Sequence, residues 1–137
     1  MTTLSLEWQR NLAFTSGPGG PPIALDSSAP GVLSPMQVLA YAVMGCMAMD
    51  VAHILEKGRH DLQALTVTFD SERASEPPRR YTMIHLRFDV TTNADQQVVE
   101  RAIELSRTKY CSVSNTLRQD LDFRTSVVVK SSIRHRP

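Results

Sequence analysis

The chain has 137 residues, 42% hydrophobic and 21% charged, with 15 Lys plus Arg against 14 Asp plus Glu and a formal net charge of +1. That size and apolar content suit one globular domain with its own core, and exclude two ordinary domains or a disordered chain. The even charge balance and the 6% aromatic content remove the electrostatic and stacking case for nucleic acid or a membrane surface as the main partner.

In chain order, Leu4–Phe14 and Ile23–Leu25 read as strands, so N-terminal strands are expected over 4–26. Between them lies Ser16-Gly17-Pro18-Gly19-Gly20-Pro21-Pro22, a stiff connection. It has no Lys-Ser/Thr and opens no helix, so it is not a phosphate loop. Met1–Arg10 carries Glu7 and lacks a basic region followed by an apolar run. The expectation is therefore no secretory signal and a cytoplasmic location.

Ser34-Pro35 opens the clearest helix, expected over 35–57, with Ser34 as N-cap, Pro35 at the first helical position and Gly58 as a left-handed end. Its first half is apolar all round (Val38, Leu39, Ala40, Ala42, Val43, Met44), the mark of a buried central helix. No apolar run is long enough to predict a membrane span.

Strands follow over 62–90. Leu65–Asp70 alternates apolar and polar residues, and Ile84, Leu86, Phe88 and Val90 share one face of Thr82–Val90. His85 falls on the opposite, wetter face. Helices are expected over 94–118, with Asn93 and Gln96 as a capping-box-like start and Ser112 as N-cap of a short last helix. A strand over 121–130 and a basic tail, Arg134–Pro137, complete an α+β chain with a mostly antiparallel sheet.

The two cysteines carry the chemistry. Cys46 sits about three turns into the long helix, beyond reach of that helix's own dipole. Asp50 and His53 share its stripe, with Lys57 a turn further, and a charged Asp50 would disfavour a thiolate. Cys46 thus needs a cation from elsewhere in the fold or from a second subunit; otherwise it is a small core residue. Cys111 precedes a helix start, with Arg107 and Lys109 nearby, surroundings that lower a thiol pKa. The two could form a redox pair, in which one thiolate becomes a sulfenic acid and the other condenses with it. Met36, Met44, Met47 and Met49 cluster around Cys46 as core filling or as lining of a greasy pocket. The histidines His53, His60, His85 and His135 show no metal-ligand spacing. A zinc set of Cys46, His53 and Cys111 is conceivable, but neither a metal nor another cofactor is expected.

The segment Ser34–Val51, with Gly45-Cys46 and Met49-Asp50-Val51, resembles the central helix of the OsmC/Ohr family. Lys109-Tyr110-Cys111-Ser112-Val113 resembles its second cysteine motif, and the pair is closest to the YhfA-like branch. The resemblance implies an OsmC-like fold, with antiparallel sheets wrapped around a long central helix in an intertwined homodimer. It further implies thiol-dependent reduction of organic hydroperoxides in oxidative-stress defence, a peroxidase activity with Cys46 attacking, Cys111 resolving and an external dithiol (lipoyl or thioredoxin-like) as reductant. Met36, Gln37, Met49 and Asp50 would line the pocket. The family's activating Glu and Arg have no counterparts here. Met36 and Gln37 occupy the Glu positions, and the loop Ser16–Gly20 holds no cation. Arg10 and Arg107 are the substitute candidates for activating the thiolate. The alternative is a non-catalytic dimer that binds a small apolar ligand or senses oxidants.

Overall fold

The computed structural model describes residues 3–131. The basic tail Arg134–Pro137 and His135 lie outside the described residues. Two compact units are distinguished, one ending at Tyr41 and the other beginning at Ala42.

In the N-terminal unit, β1 (Leu6–Arg10), β2 (Ala13–Ser16) and β3 (Ala24–Leu25) form one antiparallel sheet in that order. The stretch expected as a single strand over Leu4–Phe14 is a hairpin. Asn11 takes a left-handed φ of 43°, which its short polar side chain tolerates, and Trp8 Nε1 donates to the Asn11 carbonyl at 2.9 Å across the turn.

Helix α1 (Pro35–Lys57) has the bounds read from the sequence. Ser34 and Gln37 build a reciprocal capping box: Gln37 N–H donates to Ser34 Oγ at 3.2 Å, and Ser34 N–H donates to Gln37 Oε1 at 2.9 Å. The C-terminal end corrects the expectation. Arg59, not Gly58, is the left-handed residue (φ 62°), and His60 N–H to Leu55 O with Arg59 N–H to Glu56 O complete a Schellman motif. Gly58 serves a close approach instead, since a Cβ there would meet the His60 ring at 3.0 Å. By length and mean hydropathy (1.8) α1 also meets the requirement for a membrane span. Here, though, its Val43, Met47, Val51 and Leu55 stripe, at steps of four, is fully buried in a protein core.

In the second unit, β4 (Leu62–Arg73) pairs antiparallel with β5 (Tyr81–Thr92), with Val67 opposite Phe88 and Leu65 opposite Val90. The last strand, β6 (Asp122–Ser131), runs parallel to β5, which departs from the antiparallel expectation. The cause is the connection. Residues 93–121 form a helical crossover, the length a parallel neighbour requires, and no hairpin joins β5 to β6.

That crossover holds α2 (Gln96–Leu105), a π-helical turn (Ser106–Tyr110) and α3 (Ser112–Thr116). Asn93 does not cap α2. Its Oδ1 accepts from Asp61 N–H at 2.7 Å, and Asp95 occupies the N-cap position. The core joins the α1 stripe to Ile84, Leu86, Phe88 and Val90 of β5, Val99, Ala102 and Ile103 of α2, and Cys111. The other face of β5 is wetter, as its alternation predicts: Arg87 pairs with Asp70 at 2.8 Å, and His85 Nε2 lies 2.9 Å from Ser126 Oγ.

Candidate functional site: two thiols and a carboxylate

Cys46 and Asp50 stand one helical turn apart on α1, and the crossover brings Cys111 to them. The two Sγ atoms and a carboxylate oxygen of Asp50 all lie within 4.8 Å of one another. Cys46 is half-buried, whereas Cys111 is fully buried.

The π turn places Cys111. Its N–H donates to Ser106 O at 2.7 Å, five residues back, and the widened turn releases the chain into extended backbone at Cys111 (φ −73°, ψ 104°). Cys111, not Ser112, is therefore the N-cap of α3, and its Sγ accepts from Ser114 N–H at 3.3 Å. Asn115 locks the same corner, its N–H and Nδ2 both donating to Cys111 O, at 3.1 and 2.8 Å.

Asp50 is fixed by Ser106, whose hydroxyl donates to Asp50 Oδ2 at 2.8 Å. Burial pushes the Cys46 thiol above its ordinary pKa; the Val113 backbone N–H hydrogen-bonded to it pulls the other way, and Cys111 and Asp50 add to the rise. The Asp50 effect agrees with the reading from helical spacing. No cation figures among these leading influences.

Of the two candidate arginines, Arg107 is engaged on an aromatic ring. Arg107 lays its guanidinium over the Phe123 ring, 4.2 Å from the centroid, and lines a groove with Glu100, Glu104 and β6 residues. A cation stacked on an aromatic face gains more there than alone in solvent. Arg10 is exposed on β1, where its charge acts on Asp26. The four residues expected to line the pocket also divide. Gln37 spends its side-chain carbonyl on the capping box. Met36 is half-buried in the first turn of α1, and Met49 is 74% exposed. Asp50 alone lines a described cavity, a groove of about 570 Å³ shared with His53, Ile54, Lys57, Gly58, Leu105 and Tyr110. Asp50, His53 and Lys57 thus do share one face.

Sequence reasoning missed Ser106 and the Val113 N–H. Ser106 had a signal: it continues the apolar stripe Val99, Ala102, Ile103 by a further turn, and a serine at a core position needs a buried partner. The Val113 N–H follows from Cys111 being the cap, which no residue type marks.

An α+β fold that carries two distant cysteines to one point defines a paired-thiol protein. The chain belongs to the OsmC-like protein family, whose family model matches residues 28–126. It is 38% identical over 127 residues to Protein YhfA of Escherichia coli K12, covering 90% of this chain and 95% of that protein. A hypothetical protein from Aquifex aeolicus VF5 superposes with a TM-score of 0.88 at 25% identity, covering 97% of this chain and 98% of that one. An organic hydroperoxide resistance protein OsmC from Legionella pneumophila gives a TM-score of 0.66 at 18% identity, covering 93% and 96%, a likeness of fold.

Proposed function

We propose that this protein reduces organic hydroperoxides through Cys46 and Cys111. The observation that carries the reading is the pairing of a half-buried and a fully buried thiol with Sγ atoms within 4.8 Å. Cys46 is the attacking group because peroxide can reach it. Its thiolate takes the distal oxygen, the O–O bond breaks, and the alkoxide picks up a proton and leaves as alcohol. Cys111 then attacks the sulfenic acid, water leaves and a disulfide forms. An external dithiol, lipoyl or thioredoxin-like, returns both sulfurs to thiols and is itself oxidised to a disulfide. Leu105, Ile54 and Tyr110 make the neighbouring groove greasy on one side, which suits an alkyl or lipid-like peroxide over hydrogen peroxide. The Legionella pneumophila protein of like fold is an organic hydroperoxide resistance protein, which supports the same reaction class.

The working unit in this reading is a cytoplasmic homodimer of one OsmC-like domain, since the family match spans both compact units. Tyr41 (62% exposed) and Met49 (74%) on α1 are large apolar side chains that a second copy would cover.

The test compares hydroperoxide consumption with a dithiol present. Cys46→Ser abolishes it, and Cys111→Ser treated with hydroperoxide in the absence of dithiol accumulates a sulfenic acid on Cys46 trappable by dimedone. Equal turnover by wild type and Cys46→Ser overturns the reading. The raised pKa of Cys46 and the stacking of Arg107 on Phe123 favour a second reading, a dimer that senses oxidants or binds a small apolar ligand without turnover. Its signature is slow, stoichiometric oxidation with no steady state.

A further inference from the structure

We propose that the reduced protein binds a thiophilic divalent cation of the Zn²⁺ class through Cys46 Sγ, Cys111 Sγ and an Asp50 carboxylate oxygen. These three donors come from two separate parts of the chain and already lie within 4.8 Å of one another. Tetrahedral zinc with bonds of roughly 2.0 to 2.3 Å holds its donors about 3.3 to 3.8 Å apart, so modest side-chain rotation closes the set. The donor chemistry is that of zinc: two soft thiolates and one carboxylate. Ser106 supplies the outer support, holding Asp50 Oδ2 at 2.8 Å and leaving the other carboxylate oxygen available. Ser114 N–H fixes the Cys111 sulfur. Two thiols that ionise on metal binding and the Asp50 carboxylate converge here, and among the described residues none of the three has a salt-bridge partner. Cys46 and Asp50 are only half-buried, so the fourth position opens to solvent.

Loading the ion displaces a proton from each thiol. The same two sulfurs form the disulfide of the proposed peroxide reaction, so metal and disulfide exclude each other. A hydroperoxide that oxidises the loaded pair takes two electrons from it. The sulfurs join, the ion returns to solvent, and the peroxide, with two protons, becomes alcohol and water. The metal site thus adds a redox-gated state to the thiol pair, and this gating rests on the peroxide reading. The binding itself does not.

The experiment titrates the reduced full-length protein with Co²⁺ without peroxide. Binding of one Co²⁺ per chain is expected, with thiolate-to-cobalt charge transfer, tetrahedral visible bands and displacement by Zn²⁺. Cys46→Ser and Cys111→Ser each strip most of the charge-transfer intensity, Asp50→Ala weakens binding at least tenfold, and Ser106→Ala weakens it about tenfold. Circular dichroism establishes that each variant is folded, and the disulfide form binds no Co²⁺. Absence of thiolate bands, or equal affinity in Asp50→Ala, overturns the proposal. Peroxide turnover measured separately in chelator distinguishes the two readings: turnover without Co²⁺ binding removes only the metal site, and Co²⁺ binding without turnover removes only the peroxidase.

Discussion

The Ser106 hydroxyl donates to Asp50 Oδ2 at 2.8 Å, tying the π turn to α1 across 56 positions of sequence. Ser106 is fully buried, so its hydroxyl has no water to fall back on. The bond also sets where the carboxylate sits relative to both sulfurs. Ser106→Ala is expected to cost about 1.5–3 kcal/mol in urea unfolding, the range for a lost hydrogen bond to a charged group. An unchanged midpoint would mean that Asp50 finds another donor.

Ionisation of Cys46 carries a sign. Burial, Cys111 and Asp50 together outweigh the Val113 N–H and favour the protonated thiol. Alkylation of Cys46 by iodoacetamide in Cys111→Ser should therefore keep rising with pH beyond about 8.5, the ordinary thiol value. Asp50→Asn removes one of the repulsions and should shift that profile to lower pH. A profile identical to wild type would count against Asp50 acting on the thiol. The same preference makes stability fall as pH rises through the ordinary thiol pKa, because the unfolded thiol loses its proton before the native one does.

Helix α1 starts on the Ser34–Gln37 capping box. Ser34→Ala should cost about 1 kcal/mol of stability, read from thermal or urea melts. Gln37→Ala should cost less and leave Cys46 alkylation unaltered, since the Gln37 carbonyl serves the helix start. A Gln37 variant with normal stability and altered Cys46 reactivity would place Gln37 in the site after all.

Met47 is fully buried on the α1 stripe, while Val128 on β6 is 55% exposed. Met47→Ala should destabilise by about 2–5 kcal/mol, and Val128→Ala should stay within about 0.5 kcal/mol of wild type. Similar costs at the two positions would contradict the assignment of the core.

If a second copy covers Tyr41 and Met49, then Met49→Asp combined with Tyr41→Asp should shift wild-type dimers to monomers in sedimentation equilibrium. Variants that remain dimeric would move the interface to another surface.

Local chemistry made several features readable in advance. Ser34-Pro35 and an unbroken apolar run set the bounds of α1, and strict alternation in Ile84, Leu86, Phe88 and Val90 marked the buried face of β5. Both signals lie within a few residues of what they determine. The hairpin turn at Asn11 and the left-handed Arg59 escaped because neither sits on glycine, the residue that usually announces such a backbone. The direction of β6 depended on a crossover of some thirty residues, and alternation is blind to strand direction.

The site divides along the same line. Helical periodicity alone put Cys46, Asp50, His53 and Lys57 on one stripe, because a helix repeats regardless of what surrounds it. The partners of that stripe came from far along the chain: Cys111, Ser106 and the Val113 N–H reach it only once α2 and the π turn pack on α1. Tertiary packing likewise decided that Arg107 stacks on Phe123, since a guanidinium settles where an aromatic face is available, and sequence distance carries no record of that.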